Sequence, residues 1–141
     1  MARGRRPASV TWLALAVFVL AAANLLGVVS GLARLSFYAS LSLALPLWAI
    51  LALAGAWGII WLALGVALWR LHPAARPATM AAFALYGLML VGQQALFVQG
   101  GYERGRLPFI AVVSALAAGV AIFVLTRPGV RRAFNETGPN K

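Results

Sequence analysis

Four runs of apolar residues, none carrying Asp, Glu, Lys, Arg or His, divide this chain of 141 residues. About 20 such residues in a helix cover the ~30 Å hydrocarbon core of a bilayer. Without water to hydrogen-bond the backbone, a helix is the one single segment that satisfies its own N–H and C=O groups there. The sequence therefore predicts an all-α fold, an integral membrane four-helix bundle forming a single membrane domain. The spans are read at about residues 10–29, 46–69, 79–99 and 108–126. Composition agrees: 63% of the residues are apolar and 10% are charged, too few charges to cover a soluble surface.

The first run, Val10–Val29, follows Arg3, Arg5 and Arg6. A positive start before an apolar run also describes a signal peptide, with Ala21–Ala23 as the small-residue cleavage site. The run continues past the alanines through Leu25, Leu26, Val28 and Val29, so an uncleaved first helix is expected. Residues 30–42 are mixed, with Arg34 as their one charge and Leu32, Leu35 and Tyr38 about a turn apart, which predicts an interfacial segment. Pro46 opens the second span, and Trp69–Arg70 closes it with an aromatic and a cation. Pro73 and Pro77 punctuate the next connection. Gly100–Gly101 ends the third span, and Arg127–Pro128 ends the fourth before a basic tail at 127–141. Two similar fragments, GVALW at Gly65 and GVAIF at Gly119, do not make the halves duplicates. The preceding Arg-Leu-x-Phe motifs, at Arg34 and Arg106, stand 31 and 13 residues before them.

Basic residues fix the expected orientation. The N-terminus, the second loop and the tail together hold nine Lys or Arg, against three in the other two loops. The positive-inside rule then places both termini in the cytoplasm. In that topology the acceptor pattern at Asn135–Thr137 is never glycosylated. The net charge of +10 is accounted for by topology and anionic lipid headgroups rather than by nucleic acid. Eleven arginines against one lysine, with abundant alanine and glycine, associate the chain with a GC-rich bacterial genome and hence with the bacterial inner membrane.

Lipid tails are as apolar as leucine, so helices in a bilayer associate through close packing at small residues. Four-residue spacing predicts such stripes at Ala23, Gly27 and Gly31, at Ala54 and Gly58 with Gly65, and at Ala111, Ala115 and Gly119. They suit a compact bundle or a homodimer surface. In the third span, Ala84, Gly87, Val91, Gln94 and Val98 recur at steps of three and four, which puts Gln94 on the packed face. Gln93 is rotated by about 100° and shares a face with Tyr86 and Met89.

An unpaired amide inside the hydrocarbon costs several kcal/mol. Gln93 and Gln94 are expected to find partners, with Asn24 and Ser114 as the polar candidates. Two readings compete for these four residues: hydrogen bonds that join helices, or the lining of a passage for a small solute. Trp57 and Trp61, one turn apart at mid-span, read as packing residues, and His72 reads as a solvated loop residue.

The absences narrow the function. Proton- or ion-coupled transport normally needs an ionisable residue inside the membrane, and the spans hold none. The chain has no cysteine for thiol chemistry, and Ser114 has no ionisable neighbour in any span to activate it. No cofactor is expected. The expectation is a non-catalytic structural, accessory or assembly component, associating with itself or with a larger membrane complex. The alternative is a passive channel or facilitator lined by Gln93, Gln94 and Asn24.

The closing segment Arg127-Pro-Gly-Val-Arg-Arg-Ala-Phe134 resembles the end of uncharacterised small four-span bacterial integral membrane proteins, in which the last helix passes into a basic strip ending in an aromatic. That resemblance implies architecture and no activity. On this strip Arg127, Arg131 and Arg132 are expected to contact anionic lipid, with Val130 and Phe134 dipping into the interface.

Overall fold

The computed structural model describes residues 7–39, 46–97 and 105–136. Its helices are α1 (Ala8–Ala33), α2 (Leu35–Ala39), α3 (Leu47–Trp69), α4 (Ala75–Phe97), α5 (Leu107–Thr126) and α6 (Pro128–Glu136). No strand occurs among the described residues. Four of the helices (α1, α3, α4 and α5) are long and apolar enough to cross a membrane.

Prolines set most of the boundaries. Pro7 and Pro46 stand at the N-caps of α1 and α3, and their carbonyls receive the first helical bonds from the Val10 and Ala49 N–H groups, each at 2.9 Å. Pro77 falls in the first turn of α4, where its missing N–H would have had no helical partner. The helix therefore starts at Ala75, ahead of the span expected from Thr79. At the far end of α1 the interfacial segment expected from residue 30 begins instead as a continuation of the helix to Ala33. Arg34 then interrupts it and the short α2 follows, while residues 40–42 lie outside the described ones. At 1.5 Å per residue α1 is about 39 Å long, so it tilts or reaches into the headgroup layer.

The most extensive helix contact is between α1 and α3, which run antiparallel. Large side chains of one helix sit over glycines of the other: Leu51 over Gly31, Val28 over Gly55, Leu25 over Gly58 and Phe18 over Gly65. A Cβ at Gly58 would lie 2.7 Å from Leu25 Cδ2, and one at Gly65 would lie 2.7 Å from the Phe18 ring. Gly27, by contrast, faces open space. The second strong pair is α4 with α5, where Gly87 meets Ser114 and a Cβ at Gly87 would lie 3.1 Å from that serine's Cβ. Ala84 and Val91 face Ala111 and Ala115 across the same seam, whereas Gly119 meets nothing within 4 Å.

The two hairpins touch each other far more lightly than their helices touch within each pair. The buried apolar side chains gather mainly at one end, where α1 starts (Val10, Leu13, Ala14), α3 finishes (Leu68), α4 starts (Ala75) and α5 finishes (Ala121, Leu125). There Arg76 donates from Nε to the Leu125 carbonyl at 2.6 Å, satisfying an acceptor at the C-terminal end of α5. Arg127 is extended (φ −56°, ψ 137°), as a residue before proline tends to be, and Pro128 starts α6. That bend returns α6 to the bundle. Val130 and Phe134 are 2% and 1% exposed and join the core, so the expectation that they dip into the lipid interface is corrected.

The glycine notches make a stability prediction. Gly58→Ala and Gly65→Ala each force Leu25 or Phe18 aside and should cost about 1–3 kcal/mol. Gly27→Ala and Gly119→Ala meet no atom and should leave stability unchanged or raise it. Thermal unfolding in detergent, followed by circular dichroism, distinguishes the two pairs.

Candidate functional site

At the middle of the spans α3 presents Trp57 and Trp61 one turn apart, stacked with ring centroids 5.7 Å apart. Tyr86 of α4 lies edge-on to both, at 4.9 Å and 5.5 Å, and Phe83 lies 4.9 Å from Trp61. These are separations at which the ring quadrupoles attract. Trp57 Nε1–H points at Met89 Sδ, 2.9 Å away. The four rings therefore fill the junction between the hairpins with apolar bulk.

Asn24 enters this junction from α1. Its Nδ2 donates to the Leu20 carbonyl one turn back at 2.9 Å and to the Tyr86 hydroxyl at 3.2 Å. The hydroxyl donates in turn to Asn24 Oδ1 at 3.3 Å. Both amide hydrogens and the carbonyl are thereby engaged, and the bond pair ties α1 to α4 across 62 residues of sequence. Asn24 is bonded to Tyr86 rather than to either glutamine.

The other polar residues singled out from the sequence do not converge on it. Ser114 of α5 sits against Gly87, two turns along α4 from Gln94. Gln93 and Gln94 are half-buried, and Gln94 Oε1 is enclosed with no hydrogen-bond partner among the described residues. A groove of about 270 Å³ between α4 and α5 runs past Gly87, Val91, Ala111 and Ser114. Ser114 is the one polar side chain lining it, and neither glutamine nor Asn24 borders this groove.

Two more buried polar atoms have no partner among the described residues, Trp61 Nε1 and Thr79 Oγ1. Thr79 is fully buried near the start of α4. The sequence reading put it at the head of a span and did not single it out, because its burial depends on helices distant in the chain. Arg76 was missed for a related reason, its partner being a backbone carbonyl 49 residues away.

On α6, Val130 and Phe134 turn inward while Arg131 and Arg132 are exposed. The Arg127 guanidinium lies 4.6 Å from the centre of the Phe123 ring, a cation–π distance. His72 is exposed, with Nδ1 accepting the Ala74 N–H at 3.3 Å. Among the described residues no group of three His, Cys, Asp or Glu side chains could hold a metal ion. The arrangement is suited to binding helices to one another and to presenting arginines at one end.

Two substitution sets probe these polar groups. In a double-mutant cycle on Asn24→Leu and Tyr86→Phe, the coupling energy should fall near 0.6 kcal/mol and below about 1.7 kcal/mol, the span measured for bonds between membrane helices. Thr79→Val keeps the side-chain shape and removes a buried hydroxyl without a partner. It should raise stability by about 1 kcal/mol, read from steric-trap or denaturant unfolding.

Comparison with known proteins finds no matching family model, no matching curated protein and no matching solved structure.

Proposed function

We propose that this chain is a non-catalytic structural, accessory or assembly component of the bacterial cytoplasmic membrane. It is inserted as a multi-pass bundle with both termini in the cytoplasm. One observation carries the reading: the hairpin junction is filled at mid-span by Trp57, Trp61, Phe83 and Tyr86, with Asn24 consumed by Tyr86. A reaction centre or a passage needs polar groups left available there, and this packing uses them for cohesion. The orientation rests on charge. Arg70, Arg76 and the arginines of α6 belong to the end of the bundle where α1 begins, as the positive-inside rule requires of a cytoplasmic face.

The incompletely covered lengths of α4 beyond Phe83 and α5 before Ala121, where no described residue is fully buried, support association with another membrane chain, a second copy or a larger complex. The reading as a passive channel or facilitator draws less support, since Asn24 is already bonded and the glutamines stand apart from the α4–α5 groove.

Pull-down in gentle detergent followed by mass spectrometry should recover a stoichiometric membrane partner or a homo-oligomer. Purified protein in proteoliposomes should pass no small solute. Flux that depends on Gln93 or Gln94 while the fold survives would replace this reading with the channel. A reporter fused at Lys141 should signal from the cytoplasm.

A further inference from the structure

The last turn of α3 carries a feature that the packing does not explain. Leu71 adopts a left-handed conformation, with φ 54°. The Leu71 N–H bonds to the Leu68 carbonyl at 3.1 Å, and the His72 N–H bonds to the Ala67 carbonyl at 2.9 Å. This is the Schellman arrangement, in which glycine usually holds the left-handed position because a side chain there is strained. The turn brings Arg70 and His72 to the rim of one groove of about 490 Å³, whose floor is Ile59, Leu62, Ala63 and Val66. A second groove, of about 360 Å³, lies on the other side of Val66 between Leu15, Phe18 and Trp69. Arg70 borders both.

The cationic end is unspent. Arg70 is exposed and its guanidinium makes no hydrogen bond or ion pair among the described residues. Since His72 Nδ1 accepts the Ala74 N–H, its Nε2 is the atom left to donate outward. The chain has only two acidic residues to offer as internal counter-ions. From Ile59 to Arg70 the helix rises about 16 Å, close to the ~15 Å depth of one leaflet's hydrocarbon.

Two apolar grooves meeting at one arginine match one kind of ligand. We propose that Arg70 and His72 bind the phosphate of a single anionic, two-chain phospholipid, whose acyl chains lie in the grooves on either side of Val66. The arginine forks toward phosphate oxygens, the histidine adds a donor, and Trp69 stands at the level of the glycerol. This site requires only that the chain spans a bilayer and is independent of its role as a scaffold. It is also distinct from the general attraction of the α6 arginines for an anionic surface.

The test is native mass spectrometry of the full chain in mild detergent. It is equilibrated with phosphatidylglycerol and phosphatidylethanolamine of identical acyl chains. One phosphatidylglycerol per chain should be retained, with a preference of about fivefold or more over the zwitterionic lipid. Arg70→Gln should abolish that preference, and Arg131→Gln with Arg132→Gln should leave it intact. Val66→Trp, which fills the ridge between the grooves on an exposed face, should lower retention of the two-chain lipid with Arg70 still present. A single-chain lysophosphatidylglycerol and glycerol phosphate should be retained weakly in every variant. Equal retention of the two headgroups, an undiminished preference in Arg70→Gln, or equal retention of the single-chain lipid or of glycerol phosphate would each overturn the proposal.

Discussion

A bilayer does not squeeze apolar helices together, so this fold depends on shape: bulky side chains of α1 seated in the glycine notches of α3. Leu25 over Gly58 and Phe18 over Gly65 bring the two helices close enough for dispersion to accumulate along their length. Leu51 over Gly31 reverses the roles at the other end of the hairpin. The α4–α5 pair uses a different device, small residue against small residue, with Ser114 set on Gly87. Each hairpin is thus a unit held by its own surface relief.

Between the hairpins the logic changes. Contact there is light, and its middle consists of aromatic rings and a mutually bonded asparagine and tyrosine. Toward the end where α1 starts, the core closes over Val10, Leu68, Leu125 and Phe134, with Arg76 fastening α4 to the last carbonyls of α5. Toward the opposite end, α4 beyond Phe83 and α5 before Ala121 have no fully buried residue among those described. The bundle is closed at its basic end and less covered at the other. The proposed scaffold role rests on that asymmetry.

The four spans were legible because charge is so costly in hydrocarbon that its absence marks a membrane helix. Their ends were legible at Pro46 and Arg127–Pro128, but not at Pro77, which lies inside the first turn of α4. The packed faces were legible only in part. Stripes taken at a fixed step of four rotate off the contact face by about 40° each time. The real seams step by three and four: Val10, Ala14, Val17, Ala21, Asn24, Val28 and Gly31 in α1, and Gly58, Trp61, Gly65 and Leu68 in α3. Gly27 and Gly119 therefore fell outside the contacts, while Gly31, Gly58 and Gly65 fell inside them. Asn24 was visible as a polar residue needing a partner, but its choice of Tyr86 depends on how two hairpins meet, which no local pattern encodes. Val130 and Phe134 had the spacing of an amphipathic helix, and only the bend at Arg127 decides that their face meets protein rather than lipid.

The antiparallel register of α1 on α3 is the claim from which the rest is built, and the chain has no cysteine to confuse its measurement. Cysteines placed at Val28 and Gly55 should form a disulfide within one chain when membranes are oxidised. A Cβ at Gly55 would lie 3.8 Å from Val28 Cγ2, an atom at the position a cysteine sulfur takes, which brings the two side chains within reach of a disulfide. A pair at Val28 and Ile59, whose side chain is 64% exposed and borders the outer groove, should not link. Efficient linking of the second pair, or linking of the first only between chains, would contradict the register and the packing derived from it.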